Sequence, residues 1–353
     1  MRSDRAPVRG RGAAENPRNR FETLSYVRDP EGIDPEGPAP ETQFFKDPSR
    51  SLITYNDSPD VGFEASINPY RGCEHGCIYC YARPTHEYLG FSAGLDFETK
   101  ILVKEDAPAL LRRELSSPHW KPQPLAISGV TDPYQPVERR LRLTRQCLEV
   151  LAEFRNPVVI ITKNHLVTRD LDLLGELAHH EGAAVYLSVT TLNTRLARTM
   201  EPRTSYPTRR LAAIEALARA GVPAGVLVAP VIPGLTDHEL ASIIAAATKA
   251  GARFAGYVLL RLPHAVAPLF EGWLTEHLPD RKDKVLNRIR AIRGGRLNDP
   301  RFDSRMKGEG IFAEQIAALF SLACRKAGIV ARGPHLSIAA FRRPTPAQAS
   351  LFE

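Results

Sequence analysis

The chain has 353 residues, of which 43% are hydrophobic and 25% charged, and its formal net charge is +7. That length can bury one large core or two ordinary ones. No run approaches the roughly 18 consecutive apolar residues a membrane span requires, and no apolar signal core follows the N-terminal charges. A cytoplasmic protein with no membrane partner is expected, in a reducing compartment where clustered cysteines read as metal or redox groups rather than disulfides.

Residues 1–55 are rich in Pro, Gly, Arg and Glu and show no hydrophobic period, which predicts a disordered or loosely draped arm. From residue 56 to 265 a βα alternation follows. Short apolar, β-branched runs occur at Ala65–Pro69, "PLAISG" (124–129), "PVVIIT" (157–162), "AAVYLSVTT" (183–191), "PAGVLVAPV" (223–231) and "FAGYVLLRLP" (254–263). Amphipathic stretches separate them. "VERRLRLTRQCLEVLAEF" repeats Val137, Leu141, Leu148 and Leu151 on one predicted helix face, and "TRDLDLLGELAHHEG" and "PTRRLAAIEALARAG" each open on Thr and close on a Gly suited to a left-handed C-cap. After the second strand the starts recur about every 30 residues, the size of a βαβ unit with right-handed crossovers. Six strands are too few for a closed eightfold barrel, leaving an open partial barrel or a doubly wound sheet. Both gather chemistry in the loops at the carboxyl ends of the strands.

Residues 266–353 read as mostly helical and basic. Arg281–Lys307 holds ten Lys/Arg against three Asp. Such a patch suits DNA or another polyanion, although Val285, Ile289 and Ile292 at i, i+4, i+7 equally describe a helix with an apolar stripe and a solvated basic face. "HH" at 179–180 reads as a surface helix end, and no HExxH, P-loop or dinucleotide fingerprint occurs.

The first βα loop is unusually long, and it carries "RGCEHGCIYCYARP" (71–84). Three of the chain's five cysteines, Cys73, Cys77 and Cys80, stand there at Cys-x3-Cys-x2-Cys spacing. A closed zinc site wants four ligands; His75 or His86 could supply a fourth. A four-iron cubane can be held by three thiolates with one iron left open to a ligand. Cys147, in register with Leu143, Val150 and Phe154, and Cys324, four after Phe320, read as small core hydrophobes.

With Tyr79 as its aromatic, "CEHGCIYC" resembles the signature of the radical S-adenosylmethionine (SAM) superfamily. "NPYRGCEHGCIYCYARPTHEYLG", "SGVTDPYQPVE", "ITKNHLVTRDLDLL", "VYLSVTTLN" and "PVIPGLTD" extend the likeness to the subgroup related to spore photoproduct lyase, often labelled DNA-repair-photolyase-like. "GGRLNDPRFDSRMKGEGIFAEQI" resembles the C-terminal part of one branch of it. The resemblance implies an open partial (β/α)6 barrel and a 4Fe–4S cluster on Cys73, Cys77 and Cys80. It also implies SAM on the open iron, cleaved by one electron to a 5′-deoxyadenosyl radical, and a reducing donor such as a flavodoxin or ferredoxin.

It further implies SAM contacts. In the place of the family's Gly-Gly-Glu-like turn for the ammonium stands "SGVTDPYQP", with Ser128, Gly129, Thr131 and Asp132. Ser188 and Thr190 fall where ribose hydroxyls are bound, and Lys163 and Arg203 are candidates for the carboxylate. Tyr79 with Val231 and Ile232 would make the adenine slot. Spore photoproduct lyase uses a further cysteine beyond its cluster motif as hydrogen donor, whereas the matching "HWKPQPLAISG" has none. The leading substrate is DNA or another nucleic acid. A peptide or small metabolite is the first alternative, and a non-catalytic zinc or iron–sulfur nucleic-acid-binding module the second.

Overall fold

The computed structural model describes residues 8–22 and 40–344. Parts of the expected N-terminal arm (1–7 and 23–39) and the last residues (345–353) lie outside the described residues. In chain order the strands are β1 (Gln43–Lys46), β2 (Ile53–Tyr55), β3 (Ala65–Ile67), β4 (Tyr70–Arg71), β5 (Lys100–Val103), β6 (Leu125–Ile127), β7 (Val158–Thr162), β8 (Ala183–Ser188), β9 (Ala224–Val231) and β10 (Phe254–Leu259). Six of them, β3 and β6 to β10, are the anticipated barrel strands. They pair in parallel in the order β10-β9-β8-β7-β6-β3, with β2 antiparallel on the outer edge of β3. The result is an open partial (β/α)6 barrel. Its strands are short and β-branched, as in Val158–Thr162, because both faces of a parallel sheet are covered.

Two strands precede the first expected one. β1 pairs with β5, a strand of the long first loop, in a second, three-stranded sheet, and all four of its side chains are exposed. An edge strand whose side chains are all exposed leaves no alternation to read. The helix expected over 137–154 is broken at Arg142, which takes φ 56°. Its second part, Leu143–Phe154, begins where the buried Glu138 carboxylate accepts the amides of Thr144 (3.0 Å) and Arg145 (3.3 Å), a capping role. At the end of helix Leu171–His179 it is Glu181, not the following Gly182, that takes the left-handed conformation, while Gly221 does so after helix Pro207–Arg219.

The main core lies between the barrel and its helices and includes Cys147, Leu148 and Leu151 on one side and Phe320 and Cys324 on the other. A second core joins helices Val266–His277 and Pro279–Ala291 to the cysteine loop. Cys77, Ile78 and Tyr79 pack there with Phe270, Trp273 and Val285. The apolar stripe is fully buried, Val285 and Ile289 in this second core and Ile292 in the main one. The barrel's open side is crossed by polar contacts. Helix Ser304–Lys307 packs on β10, and Arg305 Nε reaches Asp60 Oδ2 in the loop after β2 at 2.5 Å. The Asp303 amide donates to the other oxygen of Asp60 at 2.7 Å. Among the described residues no helix is long and apolar enough to cross a membrane.

Candidate active site

The loop after β3 is shaped by one buried guanidinium. Arg83 donates to the carbonyls of Cys77 (3.0 Å), Gly76 (3.2 Å), Ala93 (3.2 Å) and Gly94 (2.9 Å) and pairs with Glu98 at 2.5 Å. A rigid five-donor fork can tie this many turns of backbone together; a lysine could not. Glu98 in turn accepts the amides of Gly12 (2.9 Å) and Ala13 (2.8 Å), so the described part of the N-terminal arm is strapped across the cysteine loop. Asn16 accepts the Asp96 amide at 2.9 Å, and Arg20 pairs with Glu87 at 2.8 Å, extending the strap. The backbones meet closely. Gly76 has φ +64°, and a Cβ on Gly12 would stand 1.7 Å from the Gly76 carbonyl oxygen. Gly12→Ala is therefore expected to lift the strap and cost about 1–3 kcal/mol through overpacking. The check is a denaturant titration with limited proteolysis before residue 20; an unchanged midpoint and cleavage pattern would show the strap is dispensable.

Cys73 and Cys77 are buried, Cys80 is half-buried, and all three are free thiols. Cys73 and Cys80 share an apolar recess with Ala82, Phe97 and Val130. Burial pushes the Cys77 thiol well up, with Glu201 adding to it; burial and then Cys73 raise Cys80. Thiols so placed give up their protons only to a bound cation. The nearby histidines do not complete a four-ligand zinc set. His75 turns Nδ1 to Asp132 (3.3 Å) and Nε2 to Asn164 (3.2 Å). Burial lowers its pKa, but Asp132 and Cys73 more than offset this and raise it to about 10. His86 bonds the Lys100 carbonyl at 2.9 Å, and burial depresses its pKa to about 4. Cys73 and Cys80 line one apolar recess and Cys77 another, and among the described residues no three metal-ligating side chains converge as a single zinc ion requires; three soft thiols spread along one loop fit an iron–sulfur cube with one open iron better.

Beside this loop the ends of β7, β8 and β9 form a polar recess. Lys163 Nζ donates to Ser188 Oγ (2.8 Å) and the Ala229 carbonyl (3.2 Å), and lies 5.9 Å from the Tyr79 ring centroid. Ser188 and Thr190 also donate to the Ala229 carbonyl, at 3.0 and 3.1 Å. Tyr79 Oη meets Thr190 Oγ1 at 3.1 Å and hydrogen-bonds Glu201. Tyr79 also shares an apolar cluster with Ile232 and Met200, whereas Val231 faces the barrel core. Four expected contact residues, Tyr79, Lys163, Ser188 and Thr190, are thus brought together.

Four others, Asp132, Thr131, Arg203 and Gly129, are placed differently. Asp132, expected at the SAM ammonium, is turned inward: its carboxylate accepts from Thr162 Oγ1 (2.6 Å), the Tyr134 amide (2.9 Å) and the Lys163 amide (2.8 Å) as well as facing His75. It braces the turn that presents Lys163. Thr131 donates to the Gly72 carbonyl at 2.9 Å and accepts from Gln135 at 2.9 Å, linking this turn to the cysteine loop. Arg203 leaves the recess altogether. It pairs with Glu74 (3.2 Å) and donates to Thr42 (3.3 Å), lining with Arg11 a shallow cavity of about 480 Å³. Gly129, at φ +116°, opens onto free space and offers its carbonyl to Tyr81 Oη at 2.5 Å.

The radical SAM superfamily's sequence profile matches residues 67–247, a span that holds the three thiols and the recess. The chain belongs to that superfamily. An uncharacterized protein of Mycobacterium tuberculosis is 37% identical over 296 residues, 82% of each chain. One of Methanocaldococcus jannaschii is 29% identical over 233 residues, 66% of this chain and 83% of its own. Among solved structures, a single-residue variant of spore photoproduct lyase superposes with a TM-score of 0.56 at 16% identity, covering 82% of this chain and 80% of its own. Another variant of that lyase, with bound AdoMet and dinucleoside spore photoproduct, gives 0.53 at the same identity and coverage. These structural likenesses carry the fold.

Glu201 and Arg210 are the residues of this radical SAM barrel that sequence reasoning missed. Both side chains are fully buried, and they form an ion pair behind Tyr79 and Thr190. Burial raises the Glu201 pKa, but Arg210 and then Lys163 bring it down to about 2. A signal existed: Arg210 stands in register with Ala213, Ile214 and Leu217, a charge inside the buried stripe of its own helix.

Proposed function

We propose that Cys73, Cys77 and Cys80 hold a 4Fe–4S cluster and that the chain cleaves SAM reductively. The observation that carries this reading is the placing of Cys73, Cys77 and Cys80 on one loop beside the Lys163–Ser188–Thr190–Tyr79 recess at the strand carboxyl ends. When bound, cluster and SAM supply a 5′-deoxyadenosyl radical that takes a hydrogen atom from substrate. The chain's own residues bind and orient. Lys163 offers the cation for a carboxylate, Ser188 and Thr190 offer hydroxyls to a ribose, and Tyr79 with Ile232 and Met200 offers an apolar wall to adenine. The helices carrying Phe270, Trp273 and Val285 keep water from the inner side of the loop. Cys147 lies in the core at 0% exposure, with burial raising its pKa, so it is not a thiol that can reach substrate.

The leading substrate is nucleic acid. Arg281, Lys284, Arg296 and Lys307 are exposed and have no carboxylate partner among the described residues. One observation favours a peptide or small metabolite instead: Lys282, Arg293, Arg301 and Arg305 are spent on internal fastening, to Glu271, backbone carbonyls, Asp299 and Asp60. The radical reading is tested by anaerobic reconstitution with iron and sulfide followed by dithionite and SAM. About four irons per chain and released 5′-deoxyadenosine are expected. A fully loaded protein that releases none would overturn it.

A further inference from the structure

Arg261 follows β10 at the carboxyl end of the barrel, and it is partly buried. Its guanidinium lies over the Tyr81 ring at 4.3 Å from the centroid, one residue past Cys80. It makes no hydrogen bond to the described residues, and its Nε is buried without a partner. The backbone leading to it is rigidly held. The buried Arg293 donates to the carbonyls of Leu259 (3.2 Å) and Leu260 (2.9 Å), and to that of Ser304 (2.8 Å). Nearby Arg305 is already matched by Asp60 and Ser58. One guanidinium in this group therefore has no hydrogen-bonded anion among the described residues, and an unfilled fork in a half-buried place is costly unless a ligand completes it.

Two rings flank the position. Tyr81 is 46% exposed, and Phe302, under the Arg305 guanidinium at 4.5 Å, is 52% exposed. Exposed aromatic faces interleaved with guanidinium groups suit stacked bases and the phosphates between them, whereas a carboxylate chain has no use for the rings.

We propose that Arg261 binds a backbone phosphate of a single-stranded or unpaired nucleic-acid segment at the barrel mouth, with Tyr81 and Phe302 as the base-facing surfaces. The inference rests on the reading that substrate meets the chain beside Cys80, and it names the substrate class there. A planar fork can take two phosphate oxygens at once, so this residue fixes where the sugar next to that phosphate sits. The exposed lysines and arginines of 281–307 then add attraction without position.

The test is fluorescence anisotropy of a short labelled oligothymidylate against the reconstituted full chain, without reductant or SAM, over a salt series. An oligoglutamate of equal length is the competitor. The wild-type protein is expected to bind the oligothymidylate and to ignore the oligoglutamate. Arg261→Gln should weaken binding about tenfold and reduce the salt slope by about 0.7, the loss of one phosphate contact on a single strand. Arg261→Lys keeps the charge and should keep the slope while losing several-fold in affinity; it decides the matter if the glutamine variant does not fold. Unchanged affinity and slope in both variants would overturn the proposal. So would wild-type protein that binds no oligothymidylate at low salt, or oligoglutamate binding that depends on Arg261. Because binding is read without turnover, a protein that binds normally yet cleaves no SAM overturns the radical reading alone.

Discussion

Cys77→Ala is expected to take the reconstituted protein from about four irons per chain to less than about one and to abolish release of 5′-deoxyadenosine. The reason is the setting of the thiol. Cys77 is buried against Ile78, Ala13 and Met200, and burial together with Glu201 drives its pKa well up. Nothing but a bound cation would hold a thiolate there, and two thiolates on so short a loop are too few to retain the cube. Cys147→Ala supplies the matched comparison. That side chain fills the core beside Leu148 and Leu151 and should cost about 1–2 kcal/mol of stability through a small cavity, with iron content unchanged. Iron analysis and the brown absorbance of protein handled without oxygen read both outcomes. Full iron in Cys77→Ala would remove the basis of the proposed chemistry.

Glu201→Gln is expected to destabilise the chain by about 3–5 kcal/mol, because it leaves the fully buried Arg210 guanidinium without its counter-charge. Arg210→Met should cost a similar amount by stranding Glu201, and the double variant should cost less than the sum. The pH dependence carries its own signature. Glu201 is depressed from 4.5 to about 2 in the folded chain, so its contribution is present above about 4.5 and is lost as pH falls towards 2. Glu201→Gln should lack that part of the acid limb. Denaturant titrations at neutral pH and down the acid range measure both effects. A variant within about 1 kcal/mol of wild type at neutral pH would mean water has access to the pair behind Tyr79 and Thr190.

The sequence alone marked the six parallel strands with their helices and the three thiols. Barrel strands are buried on both faces and their helices on one, so apolar runs and 3.6-residue stripes mark them directly, and three cysteines within eight residues stand out from any background. It also placed Cys147 and Cys324 in the core, since both lie in register with neighbouring apolar side chains. What only the tertiary structure decided is how polar groups are matched, because a carboxylate's partners come from distant segments that leave no local period. Asp132 was legible as a polar strand-end residue, yet it turns to His75, Thr162 and the Lys163 amide. Arg203 stands near Lys163 in no sense that spacing can express, since Glu74 and Thr42 draw it to another face. The N-terminal strap is the same case: Gly12 and Ala13 offer only backbone amides, and it is the buried Glu98, 86 and 85 residues further on, that makes them part of the site. Hydrophobic burial is written along the chain; the pairing of buried charges is settled only when the chain has closed around them.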